Sequence, residues 1–193
     1  MMTPSHVLIS CGLLARQGKP WRNLAAAAGG LLPDVPMFAL FAWDRLVEGL
    51  PEHVIWGERY WSDDWQIPVA ISHSIPIYAV VLALGLWWRS EIVKVYALST
   101  FLHIACDLPV HHDDAHMHLW PLSRWRFISP VSYWDPSYHG ALMSKIELAI
   151  VLVMIVLLWR RFSSTWTRVA CALALAMFVA VPLYFSLTHY DPV

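Results

Sequence analysis

Residues 67–88 of this chain, IPVAISHSIPIYAVVLALGLWW, contain no Asp, Glu, Lys or Arg. At about 1.5 Å of rise per residue, a helix over that stretch reaches about 33 Å, and the hydrocarbon core of a bilayer is about 30 Å thick. No other feature limits the fold as strongly, because such a run belongs in hydrocarbon. Composition agrees: of 193 residues 58% are apolar, 12 are Trp and only 14% are charged, and the mean hydropathy is +0.50. The chain reads as an integral membrane protein whose first partner is the lipid bilayer. A net charge of −1 and the lack of a long basic run remove nucleic acid from the expected partners.

Residues 6–15 predict a short apolar helix, too short to span comfortably, followed by the basic turn of Arg16, Lys19, Pro20 and Arg22. Residues 24–50 predict a second helical unit, broken at Gly29-Gly30 and at Pro33-Asp34-Val35-Pro36. Breaks at membrane depth are tolerated where a cavity or neighbouring helices re-satisfy the freed backbone, so this one marks a place to look for function. Residues 51–66, acidic and Trp-rich, suit an interfacial loop. After 67–88 come Arg89 and Lys94, a helix over 92–108, a loop over 109–140 rich in His, Trp, Pro and Asp, and apolar helices at about 141–159 and 168–188.

The expected fold is therefore all-α: a multi-pass transmembrane helical bundle of four long helices plus a short or broken N-terminal pair. It forms a single integral membrane domain over 1–193, with the His- and Trp-rich loop at 109–140 facing outward. The N-terminal segment lacks a basic start and a small-residue cleavage site and is expected to be retained. Cys11, Cys106 and Cys171 lie in apolar surroundings without CxxC spacing, which argues against a disulfide framework or a zinc ribbon.

The turns at 16–22, 89–94 and 160–168 hold eight of the thirteen basic residues, whereas 51–66 and 109–140 hold Arg59, Arg124 and Arg126. By the positive-inside rule the first set is cytoplasmic. Both termini and the His-rich loop then face outward, which in a bacterial inner membrane means the periplasm.

His103 and Asp107 are four apart, so on a helix they share a face one turn apart. Imidazole and carboxylate at that spacing grip one divalent cation, or two with the carboxylate bridging; the competing reading is a His–Asp pair that merely locks helices. The topology levels His6, Asp34, His73, His103 and Asp107 within the outer half of the bundle, on four helical segments. Ionisable groups in hydrocarbon are costly and mark function by default. Beyond Pro109, His111 or His112 is placed to close a coordination sphere from above. Asp113, Asp114, His116 and His118 read as a second ion site, as partners that orient the imidazoles, or as a solvated loop. The run WPLSRWRFISPVSYWDPSYHG reads as an interfacial anchor, or as a surface on which Arg124 and Arg126 meet a phosphate.

With His6 ahead of them, Leu32-Pro33-Asp34, His73-Ser74 and the His103-to-Asp107 pair form a pattern that resembles the YdjM-like family of predicted inner-membrane, metal-dependent hydrolases. Its order is similar to that of helical zinc-dependent phospholipases C and related zinc nucleases, in which His and Asp on a helical bundle hold zinc ions that activate water against a phosphodiester. The resemblance covers most of residues 6–112. It implies Asp34, His73, His103 and Asp107 as ligands, Asp34 also as the residue that orients the attacking water, and His6 and His112 as completing the set. The chain departs from those enzymes in having no His-x-x-x-Glu after HHDDAH, and in carrying Ala70-Ile71-Ser72 where HRG usually precedes HS. The 109–140 loop has no counterpart. One or two divalent ions, zinc by the resemblance, are therefore expected.

The expected activity is hydrolysis of a phosphoester or another ester of a lipid-like substrate such as a phospholipid. The alternatives are a cation-binding transporter and a non-catalytic membrane protein whose His and Asp only pair helices. Neither metal identity nor oligomeric state follows from the sequence.

Overall fold

The computed structural model describes residues 1–188, whose regular elements are all helical with no strand among them. In chain order the helices are α1 (Thr3–Leu14), α2 (Pro20–Leu31), α3 (Val35–Leu46), α4 (Glu52–Gly57), α5 (Asp63–Ser72), α6 (Ile75–Trp87), α7 (Glu91–Asp107), α8 (Gly140–Arg161) and α9 (Thr165–Thr188). Single 3₁₀ turns lie at Leu32–Asp34, Arg59–Trp61 and Pro136–Tyr138.

Among the described residues three stretches are long and apolar enough to cross a bilayer: Pro20–Leu46, Asp63–Trp87 and Gly140–Arg161. These overlap the expected four long helices without matching them one for one, and α9 covers the expected helix at 168–188. The N-terminal unit reaches spanning length because the 3₁₀ turn continues the helical path from α2 into α3. By contrast α7, at 17 residues, ends where Pro109 follows, since a proline supplies no N–H and clashes with the preceding turn. The stretch expected to be one helix over 67–88 is two: α5 begins four residues earlier, stops at Ser72, and α6 restarts after Ser74. Ser74 caps that restart, its hydroxyl accepting from the Ile77 N–H at 3.1 Å, and Pro76 occupies the first turn where its missing N–H is harmless.

The glycine pair also plays a different part from the expected break. Gly29 and Gly30 lie inside α2, which packs along α7 and α1. A Cβ on Gly29 would sit 2.5 Å from the Tyr96 carbonyl oxygen, and one on Gly30 would sit 2.8 Å from that of His6. Small residues let three backbones close up, and Ser99 on α7 donates to the Ala26 carbonyl at 2.6 Å across the same seam. Against the other side of α1 lies the apolar cluster of Leu8, Val151, Leu158, Cys171, Ala174 and Phe178, which joins α1 to α8 and α9.

The three basic turns meet at one end of this assembly. Arg22 donates to the Leu14 carbonyl at 2.7 Å and to Glu91 at 2.6 Å, and Arg161 donates to the carbonyls of Gly12 and Ala15 at 2.9 and 2.8 Å. Each arginine satisfies carbonyls that the end of α1 leaves without helical partners. At the opposite end lie the start of α1, the end of α7 and the loop beyond it. There a satellite core of Ile55, Tyr60 and Trp65 packs α4 and α5 under α3, pinned by buried Asp44, which accepts from Arg59 and from the Trp65 indole. Residues 189–193, on which the expected position of the C-terminal end depends, lie outside the described residues.

Candidate metal centre

Four helical segments deliver one buried side chain or more to a single point. His6 comes from α1, Asp34 from the 3₁₀ turn between α2 and α3, His73 from the break between α5 and α6, and His103 and Asp107 from successive turns of α7. The register of α7 makes the last pair adjacent, with His103 Nε2 2.9 Å from Asp107 Oδ2. The two helix breaks bring the others in. Ser72, the last residue of α5, donates to the Pro33 carbonyl at 2.7 Å and so ties one break to the other.

Distances within the cluster are those of groups around a shared point. Asp34 Oδ1 lies 3.4 Å from His103 Nε2 and 3.6 Å from His73 Nε2, and Asp107 Oδ2 lies 3.8 Å from His73 Nε2. One ligand atom from each of Asp34, His73, His103 and Asp107 falls within 4.8 Å of all the others. His6 Nε2 is 3.0 Å from the other oxygen of Asp107, and its ring stacks on that of His103 with centroids 3.7 Å apart.

The protonation pattern follows from the neighbours. His73 Nδ1 donates to the Val69 carbonyl at 2.9 Å and His103 Nδ1 donates to the Gly30 carbonyl at 3.0 Å. A carbonyl can only accept, so in each neutral ring the proton is on Nδ1 and Nε2 carries a free lone pair. Both Nε2 atoms are buried and neither makes an aligned hydrogen bond, although carboxylate oxygens stand close by. Buried polar atoms without partners are uncommon and call for an explanation. Lone pairs and carboxylates aimed at one spot, with the far ring nitrogens held by backbone, match the way proteins present imidazole to a metal. The donor set of two nitrogens and two oxygens suits zinc and other first-row divalent ions.

The loop closes over this cluster by backbone pairing. The Ile75 N–H donates to the His118 carbonyl at 2.8 Å, and His118 Nδ1 donates to the His73 carbonyl at 3.2 Å. Arg126 donates to the Ala115 carbonyl and, at 2.7 Å, to Gln66. Adjacent histidines then part company. His111 turns inward, its Nε2 3.1 Å from Asp107 Oδ1 and its Nδ1 2.9 Å from Asp114 Oδ2, whereas His112 turns outward, donates to the Ser129 carbonyl and stacks on Tyr138. The structure thus brings His6, Asp34, His73, His103, Asp107 and His111 together and leaves His112 apart.

His116 joins them. Asp107, His111 and His116 form a second group whose ligand atoms lie within 4.8 Å of one another. The sequence reading did not single His116 out from the other polar residues of HHDDAHMH, and an irregular segment has no period by which to do so. Burial, then the nearby imidazoles of His73 and His111, hold His116 well below the usual histidine range, and burial pushes His118 down to about 4. For His111 burial opposes the charge, but the Asp107 and Asp114 carboxylates raise it overall. Glu147, near the same level on α8, stays outside both groups and accepts from the Ser5 hydroxyl and the Met2 N–H. The Met1 nitrogen lies 2.8 Å from Asp107 Oδ1.

Compared with protein-family models, with curated proteins and with solved structures, the chain matches none of them.

Proposed function

We propose that this chain is a multi-pass inner-membrane protein in which Asp34, His73, His103 and Asp107 hold a divalent cation, and that it hydrolyses a phosphoester or another ester of a lipid-like substrate. The observation that carries the reading is the pair of buried Nε2 lone pairs of His73 and His103, facing two carboxylates with no hydrogen bond to satisfy them. A divalent cation in that place supplies Lewis-acid chemistry, polarising a phosphoryl or carbonyl oxygen and bringing the pKa of water from about 15.7 towards about 7.

The side chains divide the work. Val69 and Gly30 fix the two imidazoles through their carbonyls, and the Thr3 hydroxyl donates to Asp34 Oδ2, leaving Oδ1 for the cation and for orienting the attacking water. Asp34 is the least buried of the four at 7% exposure, against 1% or less for the rest, so water and substrate enter from its side. Its neighbours Leu31, Leu32 and Val35 are exposed apolar side chains, a flank suited to a substrate with an acyl or isoprenoid tail. In the bilayer the basic turns of Arg22, Arg89 and Arg161 face the cytoplasm and the centre faces the periplasm.

The 3₁₀ interruption of a spanning-length helix beside a carboxylate also fits a cation-transport protein, in which a broken helix lines the ion path. Two measurements separate the readings. Elemental analysis of the purified protein is expected to give a stoichiometric divalent metal. Release of headgroup from mixed phospholipid and isoprenoid-phosphate micelles is expected to stop on chelation. Metal binding with no chelator-sensitive turnover, together with cation flux into proteoliposomes, would overturn hydrolysis in favour of transport.

A further inference from the structure

The turns at 16–22 and 89–94 enclose an open cavity at the basic end of the molecule. It measures about 360 Å³ and is walled by Lys19, Trp21 and Arg22 on one side and by Ser90, Glu91 and Ile92 on the other. That volume lies within the range of small-ligand sites, about 300–1,000 Å³. Its polar part carries more positive charge than the protein itself neutralises. The charges of Arg16, Lys19 and Arg22 all bear on the single carboxylate of Glu91, which leaves an excess of cations. Arg22 commits its Nε to the Leu14 carbonyl at 2.7 Å and its Nη1 to Glu91 at 2.6 Å, while its Nη2 donates to no described residue. Lys19 Nζ stands 3.7 Å from Glu91, beyond hydrogen-bond length, so charge alone holds it there.

The rest of the wall is apolar. Trp21 is 68% exposed, Ile92 is exposed as well, and Trp87 and Trp88 stand exposed at the end of α6, just ahead of the second turn. Indole rings at one level suit the bilayer interface, where each ring meets headgroups on one side and hydrocarbon on the other. Anchoring accounts for these tryptophans. It does not account for cations with unused donors gathered around a concavity, because a surface ion pair needs one cation per carboxylate and adds little stability. A phosphate fits what is left over, taking N–H donors from the guanidinium and a point charge from the ammonium.

We infer that this cavity holds the phosphate headgroup of an anionic phospholipid from the cytoplasmic leaflet, with Lys19 and Arg22 on the phosphate and Trp21 and Ile92 against the start of the acyl chains. A lipid fits better than a soluble phosphate because the cationic and apolar side chains line the same opening. Basic pockets at the cytoplasmic ends of membrane helices are also where anionic headgroups collect. The bound lipid joins the turn before α2 to the turn before α7 and so braces these two helices at the end opposite the metal centre.

The test titrates the full chain in detergent micelles with phosphatidylglycerol and, separately, with phosphatidylcholine, and counts retained lipid by native mass spectrometry. Wild type is expected to keep one phosphatidylglycerol in preference to phosphatidylcholine. Lys19→Gln is expected to weaken that retention by about fivefold, the weight of one basic residue at an anionic surface. Glu91→Gln is expected to strengthen it, since the substitution removes the anion that competes for the same cations; a purely structural Arg22–Glu91 pair predicts the opposite. Should Glu91→Gln fail to fold, Lys19→Gln, whose side chain is exposed, decides alone. Equal retention of the two lipids by wild type, or a preference that Lys19→Gln leaves unchanged, overturns the site. Loss of the preference to inorganic phosphate at constant ionic strength assigns the cavity to a soluble anion and overturns the lipid. None of these readouts involves a metal, so their failure leaves the metal centre standing.

Discussion

At the scale of single residues, the centre distinguishes side chains that offer a free lone pair from those that are already satisfied. Asp107→Ala and His103→Ala remove a proposed ligand outright, and each is expected to lower metal affinity by more than the roughly 10–100-fold typical of losing an orienting partner. Metal titration of the purified variants checks this. Ser72→Ala, which frees the Pro33 carbonyl and the neighbour of His73 Nδ1, is expected to fall within that 10–100-fold range or below it. His112→Ala is expected to leave metal content unchanged, because His112 is occupied with Ser129 and Tyr138. Metal loss in His112→Ala would contradict the outward turn of that side chain. That His103 and Asp107 would meet on α7 was legible in the sequence because a helix converts four residues into one turn. The choice between His111 and His112 was not, since in irregular backbone neighbours differ only by the contacts each one finds.

At the scale of elements, the site depends on how closely α1, α2 and α7 approach. Gly29→Ala puts a methyl group 2.5 Å from a backbone oxygen of α7, an atom that cannot swing aside as a side-chain end can. The expected cost is about 1–3 kcal/mol, the range for overpacking a filled contact, with metal affinity falling as His103 shifts against the Gly30 carbonyl. Gly57→Ala is the control, because nothing lies within 4 Å of its Cβ position. Thermal midpoints of the two variants in detergent should separate clearly. The Gly29-Gly30 pair reads in sequence as a helix breaker by propensity, yet inside α2 close packing against two neighbours outweighs that cost. Similarly, 67–88 reads as one helix by its hydropathy. The interruption at His73 becomes intelligible only with the loop in place, where the His118 carbonyl takes the Ile75 N–H.

At the scale of the whole molecule, the clustering of basic turns at one end and of buried His and Asp at the other gives the protein an electrical and a chemical pole. Gln17→Cys is expected to react with an impermeant thiol reagent only after the cells are opened, and Ser123→Cys in intact cells; the reverse pattern would invert the topology. An ion that binds only the folded chain stabilises it by RT ln(1 + [L]/Kd), about 2.7 kcal/mol at a hundredfold excess over Kd. Chelation is therefore expected to lower the thermal midpoint of wild type and to leave that of Asp107→Ala in place. What the order of residues determined unaided was the helical, apolar character of the chain and the group of His and Asp too costly to bury singly, because burial cost and helical period act locally. Which of those groups meet, and which loop histidine turns inward to join them, was decided only when distant segments packed. Coordination needs several atoms within a few ångströms of one point, and no local rule of sequence specifies that point.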